Sequence, residues 1–91
     1  MVDLSIIVPV YNTGKFLEKC LMSCIQQDIP LDRYEIVCVN DGSTDDSLLL
    51  LNGIKDRYEN VKVISQKNGG LSAARNTGLE NAVGKYVWFV D

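Results

Sequence analysis

Four polar clusters hold the residue types in this sequence that could do chemistry. They are Tyr11-Asn12-Thr13-Gly14, Asn40-Asp41-Gly42-Ser43, Lys67-Asn68-Gly69-Gly70 and the single carboxylate of Asp91. Each follows an apolar run rich in β-branched or aromatic residues, the pattern of a strand emptying into a loop. Turn and cap formation accounts for Thr13, Asp45 and Ser47, whose side chains suit a helix N-terminus. It accounts less well for Asp41 set before a glycine, or for the run YVWFV delivering Asp91. If the strands are parallel, all four clusters lie on one sheet edge, where ligands bind near the reversal of strand order. That placement favours a shared ligand site over four unrelated turns.

The chemistry open to such a site is narrowed by what is missing. The sequence has no histidine, and Cys20, Cys24 and Cys38 form no Cys-x-x-Cys pair. A Cys–His nucleophile and a structural zinc site are therefore disfavoured. No Gly-x-Gly-x-x-Gly follows the first apolar run, so the dinucleotide fingerprint is absent. Gly78 and Gly84-Lys85 imitate a phosphate-binding loop, but five residues separate the glycines, Tyr86 follows the lysine, and a strand comes after the motif instead of before it. The loop at Asp41 has Val39 where a phosphatase aspartate loop would carry its second acid. A phosphotransfer receiver would need paired acids after the first strand, where the sequence has Val8-Pro9-Val10.

The elements that would position the clusters alternate. LSIIV (residues 4–8) reads as the first strand, with Pro9 ending its regular pairing because it lacks an N–H. Residues 15–27 change to helical spacing, with Phe16, Leu17, Cys20, Leu21, Cys24 and Ile25 facing the sheet. EIVCV (35–39) is the second strand. The helix over 46–58 has Leu48, Leu51, Ile54 and Tyr58 as its stripe, leaves Leu49 and Leu50 without a clear role, and is open to a break at Gly53. VKVI (61–64) is the third strand, and the helix over 71–81 has a small-residue stripe of Ala74, Gly78 and Ala82. YVWFV (86–90) reads as a buried central strand. Strands and helices joined by short connections predict a parallel α/β sheet in one domain spanning 1–91.

Composition agrees with a small globular unit. Nine basic against twelve acidic residues give a net charge of −3, which argues against a nucleic-acid surface. No apolar run approaches the ~20 residues of a membrane span, and the N-terminus lacks a signal pattern. The three cysteines read as buried thiols, which fits a reducing, cytoplasmic setting. Glu18, Glu35, Glu59 and Glu80 read as solvated charges.

Three blocks, "LSIIVPVYNTGKFLEKCLMSCIQQ", "EIVCVNDGSTDDS" and "NGGLSAARNTGLENAVGKYVWFVD", together resemble the donor-binding half of the inverting family 2 glycosyltransferases. The resemblance covers essentially the whole chain. It implies the GT-A fold, a Rossmann-like three-layer sandwich with four mainly parallel strands and about three helices. It also implies a nucleotide-diphospho-sugar donor, UDP-linked, and inverting transfer to a saccharide, lipid or protein acceptor.

By the same resemblance, Pro9, Val10 and Tyr11, with Asn12 beside them, line the base pocket. Asp41, followed by Gly42, accepts from the uracil imide N–H. Asn68 and Gly70 border the nucleoside, and Arg75 pairs with Asp41 or with the diphosphate. Asn76 and Gly78 serve packing. Asp91 matches the first acid of an Asp-x-Asp motif that, with Mg2+ or Mn2+, holds ribose and diphosphate. The second acid, the sugar pocket and the general base would lie beyond residue 91. The expectation is therefore that residues 1–91 alone are inactive. The alternative is a catalytically inactive truncated module that either binds nucleotide or self-associates through an exposed edge.

Overall fold

Continuous apolar runs and three- and four-residue apolar steps alternate along the chain, and they resolve into alternating strands and helices. The computed structural model describes residues 2–25 and 29–90. The strands are β1 (Leu4–Val10), β2 (Tyr34–Asp41), β3 (Val61–Gln66) and β4 (Tyr86–Phe89), and the helices are α1 (Leu17–Ile25), α2 (Ser47–Arg57) and α3 (Leu71–Asn81). A 3-10 turn, Gly14–Phe16, leads into α1. All the strand pairings are parallel, in the order β3-β2-β1-β4. The chain steps outward from β1 to β3 and then returns to the far side of β1. Strand order therefore reverses beside β1.

Both faces of the central pair are covered, which explains why their sequences are apolar without alternation. Ile6, Val8 and Val10 of β1 and Ile36 and Cys38 of β2 pack with Leu17, Leu21 and Cys24 of α1 and Leu51 and Ile54 of α2. The intervening residues Ile7, Val37 and Val39 pack with Ala74 of α3 on the opposite face. The result is a three-layer α/β sandwich. Close approach of α3 depends on Gly78, where a Cβ would sit 2.4 Å from Ile7 Cγ2.

Several expectations shift. Pro9 does not end β1: it stays in register opposite Val39, and the strand runs on to Val10. Val90 N–H donates to Ile7 O on the β4 side. Period two then turns the imide of Pro9 to that same side, beyond the last β4 pair at Ile7 and Phe89. No ladder bond is lost. Phe16 belongs to the 3-10 turn and is 75% exposed. Residues 26–27 of the expected first helix lie outside the described residues. α2 is continuous through Gly53, and its buried stripe is Ser47, Leu51 and Ile54, with Leu50 and Tyr58 packed beside it.

β4 is the largest departure. It pairs with β1 alone and is an edge in the described residues, with Tyr86 63% and Trp88 52% exposed. α3 packs mainly over β1 and β2, with its Arg75 against the Phe89 ring, and leaves β4 largely exposed. An apolar run predicts a strand but does not say which layers cover it.

What fixes β4 is a group read from sequence as a solvated charge. Glu35 is 3% exposed. Its Oε2 accepts from Ser5 Oγ at 2.6 Å and from Val83 N–H at 2.7 Å, and its Oε1 pairs with Lys62 Nζ at 2.6 Å. Ser5 Oγ in turn accepts from Gly84 N–H at 2.8 Å. Burial opposes ionisation of Glu35, but the bonds from Lys62, Ser5 and Val83 outweigh it and hold the carboxyl below its ordinary range. The strand position of Glu35, between Tyr34 and Ile36, placed it in the sheet interior. Cys24 and Cys38 are buried and Cys20 is half-buried, all as free thiols. Burial pushes Cys24 up to about 11 and Cys38 up to about 12.

Candidate functional site

The site is built around the last residue of β2. Asp41 is 3% exposed, and its carboxylate is gripped from the β3–α3 side. Oδ1 accepts from Gln66 Nε2 and from Gly69 N–H, both at 2.9 Å. Oδ2 accepts from Gly70 N–H at 2.9 Å and, at a longer 3.4 Å, from Asn68 Nδ2. Asn68 Nδ2 donates more closely to Asp41 O, at 3.0 Å. The Gln66 hydrogen bond, with the Gly69 and Gly70 amides, pulls the Asp41 carboxyl below its usual value against the opposing effect of burial. The group is therefore an ionised acceptor at neutral pH.

Backbone conformation makes this grip possible. Gly42 has φ +73, and a Cβ there would stand 2.7 Å from Asn68 N. Any side chain would push the β3–α3 loop off the end of β2. Gly70, at the start of α3 with φ +93, turns its N–H to the carboxylate. In the neighbouring loop Asn12 adopts φ +50 and acts as a clasp. Its Oδ1 accepts from Thr44 N–H at 2.8 Å and Asp45 N–H at 3.3 Å, and its own N–H donates to Ser43 Oγ at 3.0 Å. Gly14 N–H donates to Ser47 Oγ, tying the same two loops again.

These loops enclose a cleft of about 470 Å³ lined by Pro9, Val10, Tyr11, Thr13, Asp41, Asn68, Gly70, Leu71 and Ala74. Its walls are mainly apolar and Asp41 supplies the charge, a combination suited to a flat ring bearing an N–H donor. A larger cleft of about 630 Å³ opens at the opposite strand ends, between Glu35, Tyr34, Arg57, Tyr58 and Lys62. There Glu35 is spent on internal partners, so size does not choose the functional edge.

Of the residues singled out in the sequence, Pro9, Val10, Tyr11, Asp41, Asn68 and Gly70 come together in the cleft. Asn12 and Gly42 stand behind it and shape its loops. Arg75 is outside the lining, with its guanidinium carbon 5.9 Å from the Phe89 ring centroid, and it is not among the partners of Asp41. Asp91 lies outside the described residues. Sequence reading missed Gln66 and Thr77, whose Oγ1 donates to Gln66 Oε1 at 2.5 Å. The signal available was register, since Gln66 ends β3 directly opposite Asp41. Among the described residues no three metal-ligating side chains cluster, so these residues do not form a metal site by themselves. No helix among them is long and apolar enough to cross a membrane.

The model of the glycosyl transferase family 2 matches residues 5–91. The chain belongs to that family. A poly(ribitol-phosphate) beta-glucosyltransferase of Bacillus spizizenii is 47% identical over 90 residues, which make up 97% of this chain and 14% of the relative. The glycosyltransferase GlyA of Streptococcus pneumoniae is 50% identical over 88 residues, 97% of this chain and 12% of the relative. This family 2 chain therefore spans about one seventh or less of these two relatives.

Among solved structures, S. aureus TarS 1-349 in complex with UDP-GlcNAc superposes with a TM-score of 0.91 at 38% identity, covering 99% of this chain and 26% of that one. A mannosyltransferase of Pyrobaculum calidifontis in complex with GDP-Man and Mn2+ gives 0.85 at 29% identity, covering 92% and 25%. The family 2 chain thus has the Rossmann-like GT-A architecture, and its matched relatives are glycosyltransferases.

Proposed function

We propose that this chain forms the donor-binding part of an enzyme that takes a sugar from a nucleoside diphosphate, UDP in particular, and passes it to a saccharide, lipid or protein acceptor. The observation that carries this reading is Asp41, a buried carboxylate kept ionised by Gln66, Gly69 and Gly70 in a cleft beside the reversal of strand order. An ionised carboxylate accepts from a ring N–H, as in the uracil imide, and repels the bare N3 of cytosine. Pro9, Val10, Tyr11 and Leu71 supply apolar walls for the base, and Asn68 and Gly70 border the nucleoside. The complexes of relatives with UDP-GlcNAc, UDP and GDP-Man support a nucleotide-sugar donor.

In this reading the Arg75 charge serves the diphosphate, and Asp91 meets ribose and a divalent cation. Such an ion, Mg2+ or Mn2+, offsets charge on the leaving nucleoside diphosphate. The transfer is a single in-line displacement with inversion. The base that deprotonates the acceptor hydroxyl lies outside residues 1–91, so these residues alone transfer no sugar. The free thiols fit work in the cytoplasm.

Calorimetric titration with UDP tests the donor site. Binding strengthened by Mn2+ and weakened about ten-fold or more in Asp41→Asn is expected. No heat at millimolar UDP refutes it. The largely exposed β4 favours a second reading, a module that self-associates. A concentration-dependent mass in sedimentation without UDP binding would select that reading.

A further inference from the structure

The lone pairs of Asp41 are almost fully accounted for. An ionised carboxylate offers about four acceptor positions in its plane. Three are filled at 2.9 Å, by Gln66 Nε2, Gly69 N–H and Gly70 N–H. The fourth, on Oδ2, is contacted by Asn68 Nδ2 at 3.4 Å, and that amide has a nearer acceptor in Asp41 O. One acceptor position on Oδ2 is thus left for a ligand donor. Two of the three firm bonds come from backbone amides, which have no alternative polarity.

Gln66 is different, because its amide can present either N–H or C=O, and the ionised Asp41, which only accepts, takes the NH2 end. Thr77 anchors the other end. Its hydroxyl donates to Gln66 Oε1 at 2.5 Å, which leaves the NH2 end toward Asp41. A flipped Gln66 would aim its oxygen at the carboxylate, and that repulsion fixes the polarity. The Thr77 hydroxyl could accept from the NH2 group, so its part is to hold the amide in place. The chain Thr77 to Gln66 to Asp41 therefore has one direction of donation, running from α3 through the end of β3 to the cleft.

We propose that Gln66 and Thr77 set the base selectivity of the cleft. They hold Asp41 as an acceptor with one free position, so that it takes a base with a ring N–H and rejects one with a bare ring nitrogen. The proposal rests on the donor-site reading given above. Both are positioning residues, since neither lines the cleft. Without the Gln66 bond, Asp41 is more readily protonated. Its O–H could then donate to the N3 of cytosine, and discrimination falls from both sides.

The test is calorimetric binding of UDP and CDP to the intact protein that carries this chain, across pH, with thermal melting as the check on folding. Thr77→Val removes the hydroxyl and Gln66→Met the amide, while Thr77→Ser keeps the donor. In Thr77→Val and Gln66→Met, UDP binding should weaken about ten-fold while CDP binding holds or strengthens, so the UDP preference falls by at least that factor. Asp41 is depressed in the folded protein, so UDP binding is present above its pKa and lost as pH falls through it. Losing the Gln66 donor raises that pKa, and the acid limb moves to higher pH.

Other ionisable groups on the surrounding elements are Tyr11 at the end of β1, Asp45 and Asp46 in the β2–α2 loop, Lys67 in the β3–α3 loop and Arg75 on α3. The two carboxylates among them, Asp45 and Asp46, are common to every variant. Thr77→Ser should keep the wild-type preference and limb. A Gln66→Glu variant places a second carboxyl beside Asp41 and should move the limb furthest upward.

An unchanged UDP-to-CDP ratio and acid limb in Thr77→Val and Gln66→Met, with Asp41→Asn impaired, overturns this proposal alone. Equal losses for UDP and CDP do the same, because they mark a merely structural role. A wild type that binds no UDP, or an Asp41→Asn that binds it normally, overturns the donor-site reading and this proposal with it.

Discussion

Replacing Glu35 separates two ways in which a buried carboxylate can hold a fold together. Its side chain is 5% exposed, whereas that of Lys62 is 44% exposed. Lys62→Met loses an ion pair whose cation is largely solvated and screened, so it should cost about 0–1 kcal/mol. Glu35→Gln keeps an oxygen for Ser5 and Val83 but turns charged hydrogen bonds into neutral ones, a loss of about 1–2 kcal/mol. Glu35→Ala leaves Ser5 Oγ and Val83 N–H without their acceptor and opens a void, at about 3–4 kcal/mol. That is most of the stability of a chain this size, about 5 kcal/mol or somewhat more.

Urea unfolding at neutral pH measures the three variants, and amide exchange at Val83 and Gly84 reports whether the turn into β4 opens first. There is also a pH signature. The carboxyl of Glu35 is depressed when folded, so its stabilisation is complete above the unfolded carboxylate pKa and lost as pH falls through the folded one. Glu35→Gln should therefore show a flatter acid limb than wild type. If Lys62→Met costs as much as Glu35→Ala, charge pairing and not the hydrogen-bonded carboxylate anchors β4, and the reasoning fails.

Two glycine comparisons give further expectations. Gly53 on α2 has no atom within 4 Å of a Cβ position and no left-handed φ, so Gly53→Ala should stabilise by about 0.5–1 kcal/mol in urea unfolding. The same change at Gly78 drives a methyl to 2.4 Å from Ile7 Cγ2, and overpacking of about 1–3 kcal/mol should exceed the propensity gain and lower the midpoint. Gly42→Ala combines φ +73 with a 2.7 Å clash against Asn68 N, so it should displace the β3–α3 loop from Asp41 and abolish UDP binding measured by calorimetry.

The layers were legible in the sequence because the apolar code for a buried parallel strand is local. Ile6 to Val8 and Ile36 to Val39 need only their own neighbours to declare themselves. The Asp41 side of the cleft was legible for a related reason: Asp41 and the Gly69-Gly70 pair stand at strand exits, and exits of parallel strands converge. Gln66, Thr77 and Glu35 were not legible, because their roles are relations. Gln66 matters through the register that sets β3 against β2. Thr77 matters because it lies one turn after Ala74 and one residue before Gly78, two positions that let α3 press on the sheet. Glu35 matters because three separate segments bring donors to it. A charged residue inside an apolar run is the one local hint of such a role, since a strand buried on both faces has no solvated place for it.

The cleft's loops are tied together before any ligand arrives, and that bears on affinity as well as on shape. Asn12 Oδ1 takes two backbone N–H groups and the Thr44 hydroxyl, closing the β1 exit against the β2–α2 loop without touching Asp41. Ordering such a loop on binding would subtract from the contact energy; ordering it beforehand avoids that loss. Asn12→Gly keeps the left-handed backbone of φ +50 while deleting the clasp. Amides of Thr44 and Asp45 should then exchange faster in the free protein. UDP should bind several-fold more weakly, with the deficit in entropy and the UDP-to-CDP ratio unchanged. Unchanged exchange with the same affinity loss would mean that Asn12 meets the nucleotide directly. Unchanged exchange and unchanged affinity would mean the loops hold their shape without it. The ratio separates this effect from that of Gln66 and Thr77: one set of bonds fixes how much order the ligand must impose, and the other fixes which base the carboxylate accepts.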